Sequence, residues 1–253
     1  MDRVKTGISG LDEMLGGGFL RKSANLVEGA PGTGKTTLGM QFIYNGIVNY
    51  DEPGLIITFE EFPKQYYHDA AAFGWDFQEL EKKGLLKVVM TSPEVSRLDL
   101  ASVGGMLEDH IDQLGARRVL IDSISHFARL SQDPIALRGL EYNFINALKR
   151  KDLTSILTRE SPMLLGETAE GSDIGFVVDS YTVLRYVEIE SAIRKALLVL
   201  KMRGSGHAKD IRQYDIVDHG LEVQSRFEGQ EGILSGSPRR MSDSFVEAFV
   251  KQR

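Results

Sequence analysis

Apolar positions along the chain fall into two alternating rhythms. Short runs that are almost wholly apolar, "ANLVEG" (Ala24 to Gly29), "GLIITFE" (Gly54 to Glu60), "LLKVVM", "RRVLID" and "LTSILT", read as strands, since a strand covered on both faces need not alternate. Between them lie helix-length amphipathic stretches, over about Lys35 to Val48, from near Pro63, over about Asp99 to Leu114 and over about Pro134 to Lys151. Proline suits a first helical turn, which supports the starts at Pro63 and Pro134. Strand–helix alternation at this spacing predicts an α/β domain, a parallel sheet with helices on both faces.

After about Gly175 the rhythm changes. "SYTVLRYVEI", "RKALLVLKMR" and "IRQYDIVDHGLEV" are strand-rich and joined by short turns, so they are expected as antiparallel additions at one sheet edge. Asp218-His219-Gly220 is the expected hairpin turn, with the glycine supplying positive φ. The division expected is one domain over residues 1–228, then a linker and tail over 229–253 with a short helix at Ser242 to Lys251.

Composition narrows the class. The 253 residues are 42% apolar and 26% charged, as in ordinary globular proteins, and can bury a sizeable core. A net charge of −6 argues against a surface devoted to nucleic acid, though a local basic patch is compatible with it. Without a single cysteine there are no disulfides, thiolate metal sites or cysteine nucleophiles. No apolar run approaches the ~18–20 residues that span a bilayer, and "MDRVKTGISG" has no apolar signal core, so a cytoplasmic protein without a membrane partner is expected.

The chemistry concentrates in Gly29-Ala30-Pro31-Gly32-Thr33-Gly34-Lys35-Thr36, followed by Thr37. Two glycines four apart, then Lys-Thr, between a strand and a helix, form a phosphate-binding loop. Its glycines let backbone N–H groups close around phosphate oxygens, and the helix dipole adds favourable field. Lys35 can reach the β and γ phosphates, and the Thr36 hydroxyl can ligate Mg²⁺. Such a loop needs a second carboxylate for the metal. Asp122 ends "RRVLID" and can serve, although Asp122 or Ser123 could instead cap a following helix. Glu60 and Glu61 end another strand; they are either solvated acids or the groups that orient and deprotonate an attacking water. Thr158 is placed as a γ-phosphate sensor or as a plain strand terminus. Lys201 and Arg203 alternate along a strand and so share a face, as a functional pair or as ordinary edge charges.

"TGISGLDEMLGGGF", "GAPGTGKTTLGMQFIYNGI", "TFEE" and "KMRGSGHAKDIRQYDI" together closely resemble an ATPase domain of the circadian-clock protein KaiC, over roughly Lys5 to Val223. The resemblance implies a RecA-like P-loop fold and a ring, typically a hexamer of identical subunits, with ATP between them. It implies that Lys201, Met202, Arg203, Ser205 and His207 reach the nucleotide of the neighbouring subunit. It also implies that Glu60 is the general base and, with Thr36, a magnesium contact. Two departures stand out. KaiC carries two such domains in tandem, whereas this chain has length for one. The second KaiC domain phosphorylates itself on a serine and a threonine, and counting back from Tyr186-Val187-Glu188-Ile189 those positions are Gly175 and Phe176. Neither accepts a phosphate, and Ser172 and Ser180 fall outside the pattern, so no autokinase cycle is expected.

The leading expectation is therefore a Mg-dependent ATPase acting as a ring on an unidentified regulatory partner protein. A nucleotide-gated interaction module with negligible turnover is a second reading. A third is a RecA-like DNA-binding ATPase using Lys149-Arg150-Lys151 or Arg239-Arg240, clusters that otherwise serve as solvated helix-end or linker charges.

Overall fold

The computed structural model describes residues 2–101, 105–161, 173–189, 191–227, 230–231 and 239–240. A small antiparallel ribbon, β1 (Arg3–Val4) and β2 (Phe19–Leu20), brackets the single turn α1 (Leu11–Met14). The alternating region follows as β3 (Ala24–Gly29), α2 (Lys35–Tyr50), β4 (Gly54–Thr58), α3 (Pro63–Ala72), α4 (Phe77–Lys82), β5 (Leu86–Met90), α5 (Pro93–Ala101), α6 (Met106–Leu114), β6 (Arg118–Asp122), α7 (Pro134–Arg150) and β7 (Thr154–Glu160). Then come β8 (Ser180–Ile189), β9 (Ala192–Met202), β10 (Arg212–Val217) and β11 (Gly220–Arg226), and a last two-stranded pair, β12 (Gln230–Glu231) with β13 (Arg239–Arg240). Short 3₁₀ turns occupy Ile124–Arg129 and Asp173–Phe176.

One nine-stranded sheet runs β11-β10-β9-β8-β3-β7-β6-β4-β5. Its six strands from β8 to β5 are parallel, and β9, β10 and β11 add antiparallel beyond β8. This is the α/β arrangement of RecA-like ATPases. One expectation changes: "SYTVLRYVEI" is not the first antiparallel strand but the sixth parallel one, paired with β3 from Asn25↔Ser180 to Gly29↔Leu184. The hairpin at Asp218-His219 forms as expected, with Val217 opposite Gly220 at φ 124°.

The inner parallel strands are largely apolar because helices cover both faces. On one side α2, α3 and α4 bring Leu38, Phe42, Ile43, Tyr66 and Phe77 onto the sheet; on the other α6 and α7 bring Leu107, Ile111, Phe144, Ile145 and Leu148. Helix α2 sits especially close. A Cβ at Gly39 would come 2.4 Å from Leu120 Cδ1, and one at Gly46 would come 2.3 Å from Arg118 Cδ. These two positions, seven apart, lie on one helical face, so side chains there would lever α2 off β6. Arg118 itself is buried, pairs with Glu52 at 2.7 Å and lies over the Phe42 ring at 4.5 Å. Removing one partner of such a buried pair typically costs ~3–5 kcal/mol.

The single helix expected over about Asp99 to Leu114 is two helices, α5 and α6. Asp99 explains the change. Its carboxylate accepts the N–H groups of Met106 and Leu107, both at 3.0 Å, and so satisfies the start of a new helix rather than continuing the old one. The expected tail helix at Ser242 to Lys251 lies outside the described residues.

Candidate active site

The phosphate loop joins β3 to α2 at the C-terminal end of the parallel strands, where ligands of open α/β sheets bind. Gly32 and Gly34 take φ of 76° and 94°, backbone that side chains other than glycine rarely adopt. The Ala30 carbonyl, inside the loop, accepts the Thr33 hydroxyl at 2.7 Å and the Lys35 ammonium at 3.1 Å. Gly29 is too confined for a side chain, since a Cβ would meet Thr33 Oγ1 at 2.6 Å and the Leu184 carbonyl at 2.8 Å. Outer contacts brace the loop: Tyr214 donates to the Thr33 carbonyl at 2.6 Å and Tyr186 to that of Pro31 at 3.4 Å. Lys35 is buried, which pushes its pKa below the usual lysine range, against the opposing pull of Glu160, Asp122 and Glu28. An anion arriving in the loop would favour the charged form further. Thr36 and Thr37 follow on the first turn of α2, both half-buried.

Three neighbouring strand ends complete a cavity of about 200 Å³, lined among others by Lys35, Thr36, Glu60, Glu61, Asp122 and His126. Asp122 is its hub. One carboxylate oxygen accepts Thr36 Oγ1 and Tyr66 OH, each at 2.8 Å, and the other accepts the Thr158 hydroxyl. The competing role falls to Ser123, whose side chain caps the following 3₁₀ turn by accepting the Ser125 N–H at 3.1 Å. The peptide between Asp122 and Ser123 is cis.

Glu60 and Glu61 face this cavity from the end of β4. Glu60 Oε2 lies 3.2 Å from His126 Nε2, within hydrogen-bonding reach, while 65% of the Glu60 side chain stays open to solvent. Burial raises the Glu61 pKa above the usual carboxylate range, and the charges of Asp122, Asp69 and Glu60 raise it further. The adjacent acids thus differ: one is held by a histidine, the other is loaded against ionisation.

The second group of expected residues lies elsewhere. Lys201 lies at the end of β9 and Arg203 just past it; β9 runs antiparallel to β8, so both stand at the N-terminal end of the parallel strands. Both turn to the segment after β7, as their shared face requires. Lys201 Nζ donates to the carbonyls of Gly175 and Val178 at 2.8 Å, and Arg203 Nη2 to that of Phe176 at 2.9 Å. Burial and then the Arg203 charge lower the Lys201 pKa. Asp179 ties the group to the start of β3, accepting the Ala24 N–H at 2.9 Å and pairing with Lys149 at 2.6 Å. Met202 belongs to the buried core, Ser205 is held by Arg3, and His207 is half-buried. From Ala24 to Gly29 the six residues of β3 span roughly 16 Å, so Arg203 cannot reach the phosphate loop of its own chain.

Of the basic triplet at 149–151, Lys149 is engaged by Asp179 and Lys151 by Glu108, so two of its three charges are already balanced. Among the described residues no helix is long and apolar enough to cross a membrane.

Tyr66 and His126, which line the cavity, belong to no motif. Tyr66 stands four residues after Phe62 on α3, and with Ala70 forms the buried face of that helix; the i, i+4 spacing was the available signal. His126 lies in a 3₁₀ turn too short to show a period, with Phe59 edge-on to its ring at 6.3 Å.

Comparison with known proteins agrees with this geometry. The family model described as "ATPase: KaiC" matches residues 4–228. The circadian clock oscillator protein KaiC of Acaryochloris marina is 39% identical over 248 residues, covering 95% of this chain and 45% of its own length. That of a Nostoc species is 38% identical over 248 residues, covering 95% and 46%. The chain therefore spans about half the length of these relatives.

Proposed function

The chain belongs to the KaiC ATPase family, and on that premise we propose that it is a magnesium-dependent ATP hydrolase working as a ring of identical subunits, with nucleotide held at each junction. The carrying observation is the contact of Thr36 with Asp122 beneath the phosphate loop, facing Glu60 across one cavity.

The donors present there are a hydroxyl and a carboxylate, hard oxygens that suit Mg²⁺, an ion usually held by one or two carboxylates plus substrate phosphates. Thr36 and Asp122 would hold it, the latter directly or through water, with Glu60 at the rim. Bound there, magnesium would supply positive charge against the charge that develops on the phosphates. Thr36 can keep its proton on Asp122 and still offer a lone pair, so the bond seen here need not break.

Backbone N–H groups of residues 32–36 receive the phosphates, and Lys35 swings from the Ala30 carbonyl to the β and γ oxygens. Glu60 takes a proton from water as the water oxygen attacks the γ phosphorus and the bond to the β-phosphate oxygen breaks, releasing ADP. His126 holds the base in one orientation. Thr158 stays on Asp122 and reports the occupancy of that carboxylate.

Lys201 and Arg203 supply the ring argument. They are cations at the wrong end of the sheet for their own nucleotide, and a second copy is the natural place for that nucleotide to be. Mixing tests this. A Lys35→Ala chain holds no ATP yet can lend Arg203; an Arg203→Ala chain holds ATP yet lends nothing. A trans arginine can be worth about 10³–10⁵ in rate, so each pure variant should be nearly inactive and the mixture should recover activity. A co-assembled mixture without recovery would refute the junction site.

The clock role of the relatives is not extended to this chain. The family's two acceptor positions hold Gly175 and Phe176, which have no hydroxyl to phosphorylate.

A further inference from the structure

Beside Arg203 lies a groove of about 480 Å³ whose walls include Ile135, Arg138, Tyr142, Lys149 and Phe176. Three of these are large apolar side chains left in water: Ile135 is 83% exposed, Tyr142 52% and Phe176 69%. Single exposed apolar residues need no explanation, but three on one concave surface mark a contact. The rim is cationic, with Arg138 positioned over the Phe176 ring at 6.0 Å.

Past the C-terminal end of β4 one large apolar residue stands out in the same way. Phe62 is 69% exposed and directly follows Glu60 and Glu61. It is the N-cap of α3, fixed in extended backbone ahead of Pro63, so its side chain is presented rather than loosely attached. Glu60 and Glu61 directly precede it and line the cavity with Glu160, negative charge opposite in sign to the groove rim.

We infer that Phe62 of one copy seats in the Ile135–Tyr142–Phe176 groove of the next copy. This rests on the ring reading above and adds its apolar anchor. The placement follows from proximity. Phe62 is two residues from Glu60, and Phe176 is one hydrogen bond from Arg203, so bringing Arg203 to a neighbour's γ-phosphate brings these two rings together. The occupant is a second copy, because within one chain Phe62 stays 69% exposed and does not line the groove. Aromatic anchors set in a ring of charge are the usual core of protein interfaces. Phe176 thus occupies, as a docking surface, the position at which the related domains carry a phosphate acceptor.

The cysteine-free chain makes the test clean. Phe62→Cys and Phe176→Cys chains, separately tagged, are mixed with Mg-ATP and treated with a short bismaleimide. The expected product is an adduct carrying both tags, and the doubly substituted chain should give a ladder ending at the ring size. Pairing Gln78→Cys, an exposed position on α4, with Phe176→Cys should give none. In the otherwise native chain, Phe62→Asp should raise the protein concentration needed for assembly about tenfold or more, while Phe62→Leu should not. A protein that stays monomeric with ATP would overturn both the ring and this contact. An assembled protein that yields no two-tag adduct, or one that assembles unchanged as Phe62→Asp, would overturn the contact alone.

Discussion

Replacing Gly34 by alanine separates two costs that act on one position. The backbone there has φ 94° and ψ 25°, and an L residue in left-handed backbone costs about 1–2 kcal/mol. The new Cβ would also stand 2.6 Å from Ile216 Cδ1, closer than real contacts allow, and overpacking of this kind costs about 1–3 kcal/mol. Gly34→Ala should therefore lose about 2–5 kcal/mol in denaturant unfolding. Ile216→Val removes the clashing Cδ1 and leaves Cγ1 at 3.4 Å, an ordinary contact. Ile216 is only half-buried, so that change alone should cost about 0.5–1 kcal/mol. The double variant should then be more stable than the sum of the single losses by about 1–3 kcal/mol, and still fall short of the parent by the backbone share. Urea unfolding of the four proteins, followed by far-UV circular dichroism, gives the cycle. Additivity within about 0.5 kcal/mol would show that the contact carries no strain. Complete recovery by Ile216→Val would show that the backbone carries none.

Glu60→Gln should bind Mg-ATP with near-native affinity and hydrolyse it about 10²–10⁴ more slowly; loss confined to Glu61→Gln would move the base to its neighbour. His126→Ala should lower kcat about fivefold with nucleotide affinity unchanged, as befits a partner of a largely exposed acid, and should have no further effect in the Glu60→Gln background. Glu61 has a raised native pKa, so the stability it contributes is present in acid and lost as the pH climbs through that value. Glu61→Gln should therefore raise Tm at pH 7 and leave it unchanged near pH 3, and an equal gain at both would rule out ionisation as the cause. Incubation with γ-labelled ATP should leave the chain unlabelled, and stoichiometric label on Ser180 would restore an autokinase reading.

How much of this was legible beforehand varied with range. The phosphate loop, the strand end at Asp122 and the helix starts at Lys35, Pro63 and Pro134 rest on local rules of turn and cap chemistry, and they stand where expected, whereas β4 stops at Thr58, two residues short of the expected Glu60. The orientation of β8 was not legible, because "SYTVLRYVEI" has the same pattern whether its neighbour runs with it or against it. Its direction is set by the connection from β7 and by pairing with β3, and neither leaves a mark in the strand itself. The break before α6 was missed because Asp99 reads as an ordinary helix-surface acid until it is seen capping Met106. Tyr66 and His126 reach the cavity through tertiary placement, and only Tyr66 sits on an element long enough to show a buried face.

The hairpin of β10 and β11 props the phosphate loop from outside: Tyr214 on the Thr33 carbonyl, Ile216 against Gly34, and the Leu221 N–H on Gln41 at 2.7 Å. Tyr214 comes 181 positions after Thr33. Ribosomes add about 5–20 residues per second, so a growing chain carries its whole glycine-rich motif for roughly 10–40 s before the tyrosine that braces it has been made. During that interval the loop must bear the entropy of its own ordering whenever a nucleotide arrives. Affinity during synthesis is thus timed by the arrival of the last long strands, and a ribosome-stalled chain ending before Arg212 should bind ATP far more weakly than one extended past Val223.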